Sequence, residues 1–101
     1  MNATLDVQPD HLMLVRKILR QHLPQGARAL IFGSRAHGDA RPYSDLDLAL
    51  DAGRPLELDV LAELREAFSE SDLPYKVDLI DLATVDPGFR ARIEAGAVLL
   101  A

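Results

Sequence analysis

Apolar residues recur at helical spacing from Leu12 through Val15, Ile18 and Leu19 to Leu23, behind a Pro9-Asp10 opening suited to a helix start. Pro24-Gln25-Gly26 closes that segment, and residues 1–8 before it read as a loose arm. The continuous run Ala29-Leu30-Ile31-Phe32 halts at Gly33, which predicts a buried strand ending in a tight turn. Arg35 to Asp39 is expected to form a short helix, and Ala40 to Ser44 a loop that delivers Asp45. From Asp45 to Leu50 the pattern alternates, so a strand sends Asp45 and Asp47 to one face and Leu46, Leu48 and Leu50 to the other. After turn residues 51–55, a second amphipathic helix is predicted from Leu58 to Ser69, with Leu61, Leu64 and Phe68 inward and an acid-rich face in solvent. Residues 75–82 alternate again, with Val77 and Leu79 opposed to Lys76, Asp78 and Ile80. Asp78 and Asp81 thus face opposite ways, and Asp81, at the strand's end, suits a turn or cap. Asp86-Pro87 pairs an N-cap with a first-turn proline before a last helix carrying Phe89 and Ile93 and stopped at Gly96. Val98 to Ala101 reads as an edge strand or a partner-facing tail.

Two places along this pattern carry chemistry. At Gly33-Ser34 the backbone can approach a bulky anion, and the amides opening the next helix, with the Ser34 hydroxyl, supply donors. Beyond a ten-residue gap, Asp45 and Asp47 stand side by side. Like charges that close raise a pKa unless a cation lies between them, and Mg2+ prefers such oxygen ligands. The arrangement predicts a metal beside a phosphate. Gly33 and Gly38 also match the glycine spacing of a P-loop, but Asp39-Ala40 occupies the positions that need Lys-Ser or Lys-Thr, which excludes that motif. Arg35 and Arg41 are candidates for balancing phosphate charge through forked guanidinium contacts. Tyr43, beside Pro42, is expected to pack. His11 and His22 lack partners at zinc-ligand spacing and read as helix-surface residues.

Composition narrows the setting. A chain of 101 residues is one domain with a modest core and leaves no room for a separate substrate-recognition domain. With no cysteine there are no disulfides or thiolate metal sites. No apolar run approaches the ~20 residues of a membrane span, and the first residues lack the pattern of a signal peptide, so a cytoplasmic location is expected. A net charge of −5 argues against direct nucleic-acid binding, whereas a nucleotide held through metals escapes that objection.

Gly33-Ser34-Arg35-Ala36-His37-Gly38 followed by Ser44-Asp45-Leu46-Asp47-Leu48 resembles the signature of the polymerase-beta-type nucleotidyltransferases, and among them the minimal, MNT-type domains. His37 departs from it, standing where many relatives carry arginine. Lys76-Val77-Asp78-Leu79-Ile80-Asp81-Leu82 is similar to the segment that carries the family's third carboxylate, with Asp78 at the motif position. The resemblance covers nearly the whole chain and implies an α+β fold, a small mixed β-sheet with flanking helices, as a single domain over residues 1–101. It implies nucleotidyl transfer from a nucleoside triphosphate to a hydroxyl with two Mg2+ ions. Asp45, Asp47 and Asp78 are then the catalytic and metal-binding residues, and Gly33, Ser34 and Arg35 the nucleotide-binding ones. Minimal domains of this kind are commonly encoded beside a HEPN-type ribonuclease toxin and act as its antitoxin by adenylylating it, which implies ATP as donor and that toxin as partner. The alternative is a non-catalytic module that neutralises its partner by covering it.

Overall fold

In the computed structural model, which describes residues 6–38 and 40–100, the alternating segments form strands and the stripes of apolar residues form the helices that cover them. The elements run α1 (Pro9–His22), β1 (Arg28–Phe32), α2 (Ser34–His37), β2 (Leu46–Asp51), α3 (Leu58–Ser69), β3 (Val77–Asp81), α4 (Pro87–Gly96) and β4 (Val98–Leu99). The strands build one mixed sheet in the order β3-β2-β1-β4. β1 pairs antiparallel with both β2 and β4, whereas β2 and β3 are parallel. A parallel pair needs a crossover connection, and α3 supplies it.

Register sorts the side chains. Ala29 and Ile31 of β1, Leu46, Leu48 and Leu50 of β2, and Leu79 of β3 share one face, where they pack with Val15, Ile18 and Leu19 of α1 and Leu61, Leu64 and Phe68 of α3. The opposite face carries a smaller cluster of Leu30, Ala49, Leu82 and Ile93, the last from α4. On that second face Asp47 and Asp78 stand near the starts of β2 and β3, beyond this cluster. The α+β, mixed-sheet expectation therefore holds.

Two expectations change. Residues 1–5 of the anticipated loose arm lie outside the described residues, but Asp6 is anchored: its amide donates to the Arg35 carbonyl at 2.7 Å and its own carbonyl accepts from Arg35 Nη1 at 2.8 Å. Tyr43 does not pack; 78% of it is exposed. Arg16 donates from Nε to the Leu100 carbonyl at 3.3 Å and so ties α1 to the segment after β4. Among the described residues no helix is long and apolar enough to cross a membrane.

Candidate active site

Parallel pairing of β2 with β3 puts Asp47 directly opposite Asp78, so both carboxyl groups rise from the same face. Asp45 lies two residues before Asp47, at the mouth of β2, and is exposed. On the other side of β2, antiparallel pairing sets Phe32 opposite Asp47 and so brings the Gly33 turn against the same carboxylate. Gly33 has φ 78°, a left-handed backbone that disfavours a side chain, and a Cβ placed there would collide with the Asp47 carboxylate. Glycine is thus required at this position for the turn and for room.

Asp47 is half-buried, and its carboxyl is pushed above the usual aspartate range, first by burial and then by the charges of Asp78 and Asp45. Three acids from two segments therefore converge in electrostatic reach of one another. They do not converge fully: among the described residues no three carboxylate or imidazole groups stand close enough together to enclose a metal ion. The fit to a cation rests on the uncompensated repulsion at Asp47 and on donor chemistry, since carboxylate oxygens suit Mg2+. Asp78 has a cation at hand, with Lys76 Nζ 3.6 Å from its Oδ1. Sequence reasoning placed Lys76 on the Asp78 face but assigned it nothing; two acids and a lysine with period two on paired strands is the signal that could have marked it.

Ser34 is the first residue of α2, one position before the expected start at Arg35, and adjoins Gly33; the helix ends at His37, before the expected Asp39. Arg35 is elsewhere. Its guanidinium is buried, the residue only 5% exposed, and its hydrogen bonds run to the carbonyls of Asp6, Arg41, Pro42 and Ser44. A side chain with its donors so engaged does not support the expected phosphate contact; it knits the loop before β2 instead. His37 is exposed and lies over Gly96 of α4: a Cβ at Gly96 would come within 2.6 Å of its ring. Together with Phe32, Gly33, Phe89, Arg92 and Ile93 these residues line a cavity of about 130 Å3 beside the glycine turn. A larger hollow of about 410 Å3 is lined by the Ala40–Tyr43 loop together with His11, Arg35 and Tyr75. The three acids line neither of these: Asp45 is exposed and the Asp78 side chain is 43% exposed, whereas Asp47 is half-buried.

Asp81 takes the turn role expected of it. It points to the α1–α3 side, where Oδ2 accepts the Leu56 amide at 2.8 Å and Oδ1 the Ala83 amide at 3.0 Å.

A family model described as Polymerase beta, Nucleotidyltransferase matches residues 15–101. Over 98 residues the chain is 45% identical to the Haemophilus influenzae protein named "Probable protein adenylyltransferase MntA", covering 97% of this chain and 85% of that protein. Among solved structures, a toxin–antitoxin complex crystallised with AMP-PNP is similar at TM-score 0.76 and 27% identity, over 89% of this chain and 72% of that one. The fold is also that of a chain in a complex of a tri-AMPylated Shewanella oneidensis HEPN toxin with an MNT antitoxin, at TM-score 0.67 and 24% identity, over 89% of this chain and 68% of that one. The family match begins within α1 and runs through every strand and every candidate site residue, and the chain accordingly belongs to the polymerase beta nucleotidyltransferases.

Proposed function

We propose that this chain transfers AMP from ATP to a hydroxyl on a partner protein, a HEPN-type toxin encoded by a neighbouring gene, and thereby acts as its antitoxin in the cytoplasm. One observation carries the reading: Asp47 and Asp78 face each other in register beside a glycine turn whose missing side chain makes room for the Asp47 carboxylate. The 45% identity to the MntA protein of H. influenzae supports a protein acceptor, and the similar complex holding AMP-PNP supports an adenine nucleotide donor. The exposed acid face supports an acceptor that arrives on another chain, because an open surface needs a lid to exclude water.

Asp45, Asp47 and Asp78 are the residues that would hold Mg2+, which when bound supplies positive charge for the attacking and leaving oxygens. The Gly33-Ser34 turn seats the triphosphate with amide and hydroxyl donors, so that pyrophosphate departs in line. In the transfer, the acceptor oxygen forms a bond to the α-phosphorus, the bond to the bridging oxygen of pyrophosphate breaks, and the hydroxyl proton is lost. Asp78, whose side chain is 43% exposed, is accessible to receive or orient that proton. Its neighbour Lys76 limits charge build-up before substrates arrive.

The test is incubation of the purified chain with the neighbouring gene product, Mg2+ and ATP labelled at the α-phosphate. Label on the partner, reduced by at least about 100-fold in Asp47→Asn, is the expected result. Neutralisation of the partner with no label transferred would favour a binding module over an enzyme.

A further inference from the structure

We propose that Arg35 is a positioning residue for Asp45: its buried guanidinium clamps the peptide unit that precedes this carboxylate and so fixes where it stands on the open acid face. Two donors of the fork, Nε at 3.0 Å and Nη2 at 2.9 Å, converge on the Ser44 carbonyl. That carbonyl belongs to the same planar peptide as the Asp45 amide, so holding it holds the backbone plane entering Asp45. The plane leaving Asp45 is held as well, because the Leu46 amide donates to the Lys76 carbonyl at 2.8 Å. Asp45 is therefore exposed in its side chain and pinned on both sides in its backbone.

The remaining donors serve the same loop. Nη2 reaches the Pro42 carbonyl at 3.1 Å and the Arg41 carbonyl at 3.4 Å, and Nη1 ties in Asp6 at 2.8 Å. Within the loop the Ser44 amide donates to the Arg41 carbonyl at 3.0 Å, and the Arg41 amide to Ser44 Oγ at 2.9 Å. The guanidinium lies on the Tyr75 ring, with Cζ 3.9 Å from its centroid, and the Tyr75 hydroxyl is 3.0 Å from His11 Nδ1. The strut thus runs from α1 through Tyr75 and Arg35 to the peptide before Asp45. All of the acceptors named for Arg35 are carbonyls, so its role is geometric: a lysine keeps the charge but offers a single point of donation in place of a planar fork.

The experiment compares wild type with Arg35→Lys. In the metal-free protein, amide hydrogen exchange at Ser44 and Leu46 should rise by about tenfold or more with the circular dichroism of the fold retained. Mn2+, used as a paramagnetic probe, should bind about 10- to 100-fold more weakly. In the transfer assay, which rests on the function proposed above, kcat should fall while KM for ATP moves less than about threefold. A folded variant with unchanged Mn2+ affinity overturns the proposal, as does a rise in KM for ATP alone, the mark of a phosphate contact. Where Arg35→Lys does not fold, Tyr75→Leu decides: it leaves every Arg35 donor in place, removes the ring beneath them, and should weaken Mn2+ binding about threefold, unchanged binding counting against the clamp. Should wild type transfer no label, the exchange and Mn2+ measurements still decide the role of Arg35.

Discussion

Asp47 gives up solvent to stand opposite Asp78, and its raised pKa makes its charge a cost to the metal-free fold. With the folded value above the ordinary 3.8, the stability tied to this group is present below about that pH and is lost as pH rises through the folded pKa. Asp47→Asn should therefore raise the melting temperature of the metal-free protein by about 1–4 °C at pH 7, a gain held down by solvent screening, and leave it unchanged near pH 3. Calorimetry at the two pH values checks it, and equal shifts at both would sink the account. Gly33 works at the same point from the other side. Gly33→Ala meets both a left-handed backbone and the Asp47 carboxylate, and should cost about 1–3 kcal/mol with loss of transfer, read by denaturant melts and the labelling assay. Arg35 teaches the limit of a motif at this scale. An arginine two residues after the turn glycine is equally compatible with a phosphate or with a loop, and only the carbonyls of residues 41–44 folded around it decide between them.

Among elements, β3 carries the most divided duty. Asp78 on one face joins the acids, and Asp81 on the other closes the turn to α3 and the start of residues 82–85 by accepting two amides. Asp81→Ala should leave both donors short of a partner and cost about 2–3 kcal/mol, a fall of roughly 10 °C or more in melting temperature, with transfer retained below the new melting range. At α4, Asp86 Oδ1 accepts the Phe89 amide at 3.0 Å, and Asp86→Ala should cost about 1 kcal/mol. The bounds of α1, α3 and α4 were legible because apolar spacing and capping residues are local signals. β2 was legible from the alternation of leucine with Asp45 and Asp47, interrupted only by Ala49. What the loop does was not: the fate of Tyr43 depends on which way a chain held by a buried cation turns, and no residue near it in sequence encodes that.

For the whole molecule, the charge of −5 is unevenly used. At the far end of the acid face Asp51 is paired with Arg28 at 2.6 Å and Arg90 at 3.2 Å, and the hydrogen bond from Arg28, ahead of that from the Gly53 amide, holds its carboxyl below the usual range. Its contribution to stability is present above the ordinary 3.8 and fades as pH falls through the folded value, opposite in sign to that of Asp47. The two ends of one sheet face are thus a neutralised network and one in which a single lysine, beside Asp78, leaves the repulsion at Asp47 in place. Mg2+ should raise the melting temperature, by an amount equivalent to about 2.7 kcal/mol at a hundredfold excess over its Kd, while NaCl at equal ionic strength should not. The shift should vanish in Asp47→Asn; a shift that survives there would place the ion elsewhere.

The amino-acid order alone determined which segments become strand or helix, which way Asp45, Asp47, Asp78 and Asp81 face along their own strands, and the glycine turn, since periodicity and backbone sterics act within a few residues. Strand order, the parallel register that sets Asp47 against Asp78, and the burial that turns Arg35 from a phosphate candidate into a clamp were decided only by tertiary structure. Those depend on which distant surfaces exclude water together, a property of packing that no local window contains.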